Sequence, residues 1–282
     1  MNELLNELSE HTNIGFIGGG NMARSRIGGL IPETLTAKQV FVFEPNPSQA
    51  EQLQSDFSIN LAQDNQQLIE SCDVIVLAVK PQVLKQVLQP LAETLRQHKP
   101  LIVSIVAGIE AHSIENWLED AFAIVRVMPN TPALVGAGAS GLFANTQVTP
   151  TQRQIAQALL NAVGYSVWVN SEEDIDSVTA LSGSGPAYFM LFMQSLINAA
   201  IDAGLDPESA KNLAIETAAG AAALVKASDQ PLDTLIKNVT SPGGTTEQAM
   251  LSFKQSNLTG VVADAFTAAK ERSEELAEEL SK

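Results

Sequence analysis

Continuous apolar runs alternate with amphipathic segments through the first half of the chain. The runs that are typical of strands are Ile14–Ile17, Val40–Phe43, Val74–Val79, Leu101–Val106 and Ala123–Met128. Strands that are buried on both faces of a parallel sheet have this unbroken apolar character. Segments such as Gln82–Gln97 show a helical pattern between them, so the alternation predicts a mostly parallel sheet with helices on both faces. Weaker strand patterns follow at Gly136–Phe143 and Ser166–Val169.

The second half of the chain contains helical patterns and no convincing strand from about Glu172 onward. Helices are predicted at Pro186–Ala203, Pro207–Lys226, Thr245–Phe253 and Leu258–Leu280. A proline or turn residues stand at the start of most of them, and a proline at the first helical position costs no hydrogen bond. The change of pattern near residues 165–175 predicts an α/β domain over 1–170 and an all-α domain over 171–282.

The charge balance excludes some classes of partner. The 282 residues include 16 Lys and Arg against 32 Asp and Glu, so the net charge is −16. Such an acidic chain repels nucleic acids and anionic membrane surfaces, and we expect neither as a partner. Cys72 is the only cysteine, which excludes an internal disulfide, suits a reducing cytoplasm and is typical of a small core side chain. No signal peptide, membrane span or metal site is predicted.

A glycine-rich segment follows the first predicted strand and opens a helix. Gly18, Gly20 and Ala23 form a Gly-x-Gly-x-x-Ala pattern. The first glycine permits a tight turn, the second lets the backbone approach a pyrophosphate, and the small third residue keeps helix and strand close. The free N–H groups at the helix N-terminus would then face the phosphates. This pattern predicts a Rossmann-like dinucleotide-binding domain whose cofactor contacts include Ile17, Gly18, Gly19, Gly20, Asn21 and Met22.

An acidic residue follows the second predicted strand. Glu44 lies at about the spacing from Gly20 at which dinucleotide-binding folds place such a residue. A carboxylate here would accept hydrogen bonds from the ribose hydroxyls of NAD and repel the additional phosphate of NADP. A solvated loop glutamate explains the residue equally well, so the sequence leaves the choice between NADH and NADPH open.

Four later segments carry a resemblance to a known enzyme family. Their sequences are Ala-Val-Lys-Pro, Arg-Val-Met-Pro-Asn-Thr-Pro, Ser-Gly-Ser-Gly-Pro-Ala-Tyr and Ser-Pro-Gly-Gly-Thr-Thr, at Ala78–Pro81, Arg126–Pro132, Ser182–Tyr188 and Ser241–Thr246. With the N-terminal glycine segment, and in this order and approximate spacing, the set resembles the pyrroline-5-carboxylate reductases across about residues 13–270.

The resemblance implies both a reaction and an assembly. Members of this family reduce 1-pyrroline-5-carboxylate to L-proline with NADPH or NADH, in the last step of proline biosynthesis. The family fold is a Rossmann domain followed by a helical domain that builds an intertwined homodimer, and dimers commonly assemble into decamers. The resemblance therefore implies a cytoplasmic homo-oligomer in which residues 171–282 form the substrate and dimerisation domain.

By the same resemblance, residues near the carboxyl ends of the predicted strands contact the cofactor, at the edge where open α/β sheets bind ligands. Lys80 would place a positive charge toward a carboxylate or phosphate, although an ordinary surface lysine fits the same pattern. Asn130, in a loop stiffened by prolines, would lie near the nicotinamide, although a turn-forming asparagine fits nearly as well. The implied contacts beyond the glycine segment are Glu44, Asn65, Ala78, Val79, Lys80, Pro81, Ala107, Gly108 and Asn130.

The turn Ser241–Thr246 is a predicted receptor for the substrate carboxylate. A Pro-Gly-Gly turn before a helix N-terminus presents several free N–H groups together, and the hydroxyls add donors. A helix that is simply capped by Thr245 or Thr246 is the structural alternative. The resemblance implies that Thr246 is the catalytic residue and hydrogen-bonds the ring nitrogen. The implied substrate contacts are Asn238, Ser241, Gly244, Thr245, Thr246 and either Glu172 or Glu173.

The positions of the histidines favour an imine over a ketone as the substrate. Hydride transfer to a ketone produces an alkoxide that needs a positioned acid, whereas a cyclic imine is basic enough to arrive protonated. His11, His98 and His112 lie outside all the motifs. A β-hydroxyacid or ketopantoate-type dehydrogenase remains an alternative, against which the absence of a lysine from Ser182–Tyr188 argues. A dinucleotide-binding protein without turnover is the second alternative.

Overall fold

The computed structural model describes residues 12–33 and 35–281 and contains an eight-stranded sheet. Its strands are β1 (Ile14–Ile17), β2 (Val40–Phe43), β3 (Asn60–Leu61), β4 (Val74–Leu77), β5 (Leu101–Ser104), β6 (Ile124–Met128), β7 (Gly138–Ala144) and β8 (Gly164–Trp168). Every predicted strand is present. The short β3 was missed because a two-residue strand leaves no apolar run. β4 and β5 end two residues before their predicted ends, where the chain turns away from the sheet edge.

The strands lie in the order β3-β2-β1-β4-β5-β6-β7-β8. All neighbouring strands are parallel except β6 and β7, which run antiparallel, so the predicted mostly parallel sheet is confirmed. Ile14 of β1 lies opposite Val40 on one side and Val74 on the other. The chain order reverses at β1, and open sheets bind ligands beyond the carboxyl ends of their strands at such a point. The glycine segment leaves β1 at this position.

Helices connect the strands and form most of the remaining chain. They are α1 (Asn21–Glu33), α2 (Pro47–Phe57), α3 (Asn65–Ser71), α4 (Pro81–Leu88), α5 (Ala92–His98), α6 (Ala111–Leu118), α7 (Pro150–Asn161), α8 (Asp174–Val178), α9 (Gly185–Asp202), α10 (Pro207–Lys226), α11 (Leu232–Asn238), α12 (Thr245–Gln255) and α13 (Leu258–Leu280). The predicted Gln82–Gln97 helix is interrupted by a 3-10 turn at Gln89–Leu91, where Pro90 has no N–H to continue it. Within the described residues, no helix is long and apolar enough to cross a membrane.

Two buried clusters cover opposite faces of the sheet. Successive residues of a strand point to opposite faces, so Val74 and Val76 belong to one cluster and Ile75 and Leu77 to the other. Helices α1 and α7 complete the first cluster, and helices α3 to α6 complete the second. This arrangement explains the unbroken apolar runs, because the central strands have no face that meets water.

The chain divides into two compact units. The first unit consists of two segments, one that ends at Ser184 and one that begins at Ala269. The second unit is Gly185–Ala268. Helix α13 therefore begins in the second unit and ends in the first. In the first unit, the Ser273 hydroxyl donates a 2.6 Å hydrogen bond to the buried carboxylate of Asp176. The predicted division into functional domains at residue 170 stays a prediction.

Candidate dinucleotide and substrate sites

The glycine loop between β1 and α1 has the geometry of a phosphate cradle. Gly18 has a φ of +98°, and a Cβ there would stand 2.8 Å from the Ala78 carbonyl oxygen, so only glycine fits. A Cβ on Gly20 would meet no described atom within 4 Å, which leaves the backbone open to a ligand. Ala23 is fully buried in the core under α1. The chain is thus open to a ligand at Gly20, directly before the free N–H groups of the first turn of α1.

Glu44 braces this loop from the end of β2. Its Oε2 accepts a 2.8 Å hydrogen bond from the Gly19 N–H, and its Oε1 accepts a 3.0 Å bond from the Asn46 N–H. The carboxylate therefore has a structural role that spacing alone did not reveal, and its contact with a ribose stays a prediction. An open cavity of about 480 Å³, within the size range of ligand pockets, lies against the loop at Gly19. It is lined by Gly19, Asn21, Arg24, Ser48, Gln49, Gln52 and Leu53.

The turn after β4 lies against the glycine loop. The Ala78 N–H donates to the Ile17 carbonyl at 2.9 Å, and Val79 comes within 2.9 Å of a Cβ built on Gly18. Lys80 is exposed at the N-cap of α4, and Pro81 is its first residue. Asn65, the first residue of α3, has a buried Oδ1 that lacks a hydrogen-bond partner among the described residues.

Two other predicted cofactor contacts are held by the first unit itself. Gly108 has a φ of +71°, and a Cβ there would stand 3.0 Å from Leu280 near the end of α13. Its neighbour Ala107 is exposed. Asn130 is buried, donates from Nδ2 to the Ser182 carbonyl at 3.0 Å and accepts at Oδ1 from the Ala139 N–H at 2.9 Å. Asn130 thus fastens its loop, and its contact with a nicotinamide stays a prediction.

Glu172 forms a buried ion pair within the first unit. Its Oε1 accepts a 2.7 Å hydrogen bond from the Ala111 N–H, the first residue of α6, and lies 3.3 Å from Nη1 of Arg126. The Arg126 side chain is only 3% exposed. This carboxylate therefore joins β6, α6 and the segment before α8. Its predicted contact with the substrate nitrogen stays a prediction, as does the alternative through the exposed Glu173.

The second unit carries the turn that was predicted to bind a carboxylate. Gly243 has a φ of +72°, and the Gly244 N–H donates to the Ser241 carbonyl at 3.0 Å. Gly244 is the N-cap of α12 and makes no side-chain capping bond, so the alternative of a cap by Thr245 or Thr246 is wrong. The first N–H groups of α12 are therefore left for another acceptor. Asn238, at the end of α11, donates to Gln230 Oε1 at 3.2 Å.

Sequence reasoning missed two buried arginines. Arg126 interrupts the apolar run of β6, and Arg26 lies on the sheet-facing side of α1. Each of these arginines is 3% exposed. For Arg126, a single charge inside an apolar strand was the available signal, because a buried charge requires a partner or a function. For Arg26 the sequence contains no such signal, because Arg24 stands two positions earlier on the same helix. No cluster of three potential metal-ligating His, Cys, Asp or Glu side chains occurs in the described part of the chain.

Family models match both parts of the chain. The model described as pyrroline-5-carboxylate reductase dimerisation matches residues 172–276. The model described as NADP oxidoreductase, coenzyme F420-dependent, matches residues 13–108. The pyrroline-5-carboxylate reductase of Pseudomonas aeruginosa is 46% identical over 267 residues, which are 95% of this chain and 97% of that protein.

Solved structures agree with these matches. A pyrroline-5-carboxylate reductase from Coxiella burnetii has a TM-score of 0.91 and 42% identity, and the match covers 94% of this chain and 98% of that one. The pyrroline carboxylate reductase of Plasmodium falciparum, solved with NADP bound, has a TM-score of 0.83 and 33% identity over 95% and 99% of the two chains. The predicted fold class and resemblance are confirmed: this chain belongs to the pyrroline-5-carboxylate reductase family.

Proposed function

We propose that the chain reduces 1-pyrroline-5-carboxylate to L-proline with a hydride from NADPH or NADH. The observation that carries this proposal is the presence of two separate anion receptors in a member of this family. The loop at Gly18 and Gly20 offers backbone N–H groups to a pyrophosphate. At the start of α12, whose N-cap makes no side-chain bond, the Thr245 and Thr246 N–H groups lie outside the helix's own hydrogen bonds and can serve a small carboxylate. The N–H groups of the turn itself already donate, that of Gly243 to Glu247 Oε2 at 2.8 Å and that of Gly244 to the Ser241 carbonyl at 3.0 Å.

Residues of the first unit fit a dinucleotide. A Cβ on Gly18 would collide with Ala78, whereas Gly20 faces open space, as close approach of a pyrophosphate requires. The unpartnered Asn65 Oδ1 is an acceptor that a ribose hydroxyl would satisfy. When bound, the dihydronicotinamide supplies the hydride. The protein's part is to hold the pyrophosphate on α1 and the nicotinamide half near Ala107, Gly108 and Asn130.

Residues of the second unit would hold and orient the substrate. Ser241, Gly244 and Thr245 bind the carboxylate in this proposal, and the Thr246 hydroxyl hydrogen-bonds the ring nitrogen. The nitrogen arrives protonated, so the imine carbon accepts the hydride pair while the π pair of the C=N bond becomes the nitrogen lone pair. No protein acid is consumed. Positioning then supplies most of the rate enhancement, up to roughly 7–11 kcal/mol in well-oriented reactions.

The proposed functional unit is a homodimer in the cytoplasm, with decamers as the larger assembly. Residues 1–170 bind the cofactor, and residues 171–282 bind the substrate and the second copy. The second unit supports this proposal through its many exposed large apolar side chains, including Phe189, Leu191 and Leu213 at 73%, 69% and 60% exposure. Exposed apolar surface of this extent is typical of an obligate interface.

The first experiment follows NADH and NADPH oxidation at 340 nm in the purified protein. We expect rapid oxidation that depends on added 1-pyrroline-5-carboxylate. Proline formed in equal amount to the cofactor oxidised would establish the reaction. Oxidation with a β-hydroxyacid's keto partner but not with the imine would instead support the dehydrogenase alternative, and binding without any oxidation would support the protein without turnover.

A variant of Thr246 tests the assigned catalytic residue. Thr246→Ala removes one hydrogen bond to the protonated ring nitrogen, and a hydrogen bond to a charged group is worth about 1.5–3 kcal/mol, so we expect kcat/KM to fall roughly 10- to 100-fold without reaching zero. The matched control is Thr267→Ala, which removes an exposed hydroxyl from α13 in the same unit. Normal turnover by Thr246→Ala would show that this hydroxyl has no part in the reaction.

A variant of Glu44 tests cofactor preference. Glu44→Gln removes the charge while its amide oxygen still accepts one of the two loop N–H bonds. If the carboxylate also repels the NADP phosphate, the ratio of KM for NADPH to KM for NADH should fall about tenfold. Glu51→Gln, an exposed change on α2, is the control. An unchanged ratio would leave Glu44 with its structural role alone.

A further inference from the structure

Arg26 is a buried cation without a counter-charge. Its side chain is 3% exposed, and its Nη2 donates a long, 3.5 Å hydrogen bond to the Ser140 hydroxyl. Its Nε and Nη1 have no partner among the described residues. The other buried arginine, Arg126, has the carboxylate of Glu172 at 3.3 Å. Arg26 has no such carboxylate in the described part of the chain. The two arginines are therefore equally buried, but only the charge of Arg126 is compensated by an opposite charge.

An uncompensated buried charge makes the folded chain less stable. Removing a cation from water is energetically unfavourable, and apolar neighbours do not compensate for the lost hydration. Burial lowers the pKa of Arg26 to about 10, so the side chain is still charged near neutral pH. The cavity beside it, about 10 Å³, is large enough for about one water molecule. A water there would satisfy hydrogen bonds but would leave the charge unbalanced.

The surroundings of Arg26 locate its charge at the cofactor end of the sheet. On the sheet side, the same small cavity is lined by Phe16, Val76 and Val103, each the third residue of its four-residue strand, and by Ile105 just beyond β5. On the helix side it is lined by Leu30 of α1 and by Leu159 and Leu160 of α7. Arg26 itself is five residues into α1, about 7.5 Å along the helix from Asn21. Helical side chains tilt toward the N-terminus. The guanidinium therefore lies between the sheet and the first half of α1, the helix whose N-terminus presents its N–H groups to a pyrophosphate.

We infer that Arg26 is a positioning residue for the dinucleotide, whose buried charge is the counter-charge of the bound pyrophosphate. The inference rests on the proposed dinucleotide binding. In the cofactor-free protein the charge destabilises the fold, and the dianionic pyrophosphate offsets that cost on binding. Low-dielectric surroundings lengthen the range of the attraction, so the guanidinium acts without touching the phosphates. It adds to the positive end of the α1 dipole.

The test compares Arg26→Met, Arg26→Lys and Leu30→Met, which changes the lining of the same cavity without changing charge. Melting temperature is measured without cofactor, and the dissociation constants of NADH and ADP are measured by calorimetry. Arg26→Met should raise the melting temperature by about 2–4 °C. It should weaken NADH and ADP binding by at least roughly tenfold, because a single pair of unit charges roughly 10 Å apart at an effective dielectric of about 20 already accounts for that factor, and the pyrophosphate carries two charges. Arg26→Lys and Leu30→Met should bind NADH nearly as the parent protein does.

Arg26→Met is expected to raise the melting temperature and, at the same time, to lower the affinity for NADH and ADP. Replacing a purely structural arginine would not produce this combination. NADH and ADP binding that is unchanged in a folded Arg26→Met would overturn the inference, whatever its melting temperature. So would an equal loss of affinity in Leu30→Met. If Arg26→Met does not fold, Arg26→Gln replaces it, and failure of both to fold would show that the guanidinium is needed for the fold and would also overturn it. A parent protein that binds neither NADH nor ADP would instead refute the proposed function.

Discussion

The two units of the chain bury their apolar side chains to very different extents. The first packs a cluster against each face of its sheet, with Phe16, Leu84 and Ile75 at or below 1% exposure. In the second, Gly185 and Ala210 are the only buried residues of Gly185–Ala268. Yet this unit carries Phe189, Leu191 and Val261 on helical surfaces.

The difference teaches that the two units obtain their stability from different sources. A sheet covered on both faces satisfies its hydrophobic surface within one chain. A set of helices with large apolar side chains left in water does not, and in the proposed assembly such a set would gain stability by burying them against another copy. The dimerisation model that matches residues 172–276 agrees with this view.

The largest expected effect is on assembly. Phe189→Glu places a charge where the second copy is expected to bury an aromatic ring, so we expect dissociation to monomers and a loss of activity of about 100-fold or more. Light scattering coupled to size-exclusion chromatography measures the mass. Val167→Glu, at an exposed apolar position of β8 in the first unit, is the control and should leave the mass unchanged. A Phe189→Glu variant that keeps its mass would remove the contrast between the units.

Core truncation in the first unit should have the opposite signature. Leu84→Ala creates a cavity in the cluster beneath α4, so we expect a loss of about 2–5 kcal/mol in the free energy of unfolding while the folded protein keeps its mass. Val83→Ala, one residue earlier and 40% exposed, should stay within about 0.5 kcal/mol. Denaturant titration measures both. Equal effects of the two changes would contradict the packing described for α4.

Breaking the buried ion pair should have a smaller effect. Glu172→Gln removes the charge that compensates Arg126, and we expect the free energy of unfolding to fall by about 2 kcal/mol, less than for a fully buried pair because Glu172 is partly exposed. Glu173→Gln, on the exposed neighbour, should have little effect. If Glu172→Gln instead raised KM for the substrate and left the free energy of unfolding unchanged, this result would support the predicted substrate contact and contradict the structural role.

The smallest expected effect concerns the chemical reactivity of the Cys72 thiol and not the stability of the fold. Burial, with a contribution from Asp73, raises the pKa of Cys72 to about 12. The thiolate is the reactive form, so the folded thiol should not be modified by a disulfide reagent at pH 8 and should gain reactivity only toward pH 12 or on unfolding. A spectrophotometric thiol assay with and without denaturant measures this. Rapid reaction in the folded protein would show that the first unit opens locally at Cys72.

Much of the fold was accessible from the sequence because its signals are local. The apolar runs located the central strands, and the glycine pattern located the tight turn after β1, since the positive φ of Gly18 requires glycine there. α11 and β3 were missed because a seven-residue helix and a two-residue strand have too little periodicity to stand out. The predicted Asn130 and Glu172 contacts were inferred without knowledge of the partners that each has in the fold.

The sequence alone thus determined which segments form the longer strands, where the glycine loop lies and to which family the motifs point. Periodicity, glycine conformation and residue type act over a few neighbouring positions, so they are legible in order along the chain. Only the tertiary structure decided which charges are compensated. Arg126 forms an ion pair with Glu172, which lies 46 positions later in the sequence. Among the described residues, Arg26 has only a long hydrogen bond to Ser140, which lies 114 positions later. The energy of a buried charge depends on the groups that lie within a few ångströms of it. Those groups can come from segments far apart in the sequence, so the sequence does not show which of them are neighbours in the fold.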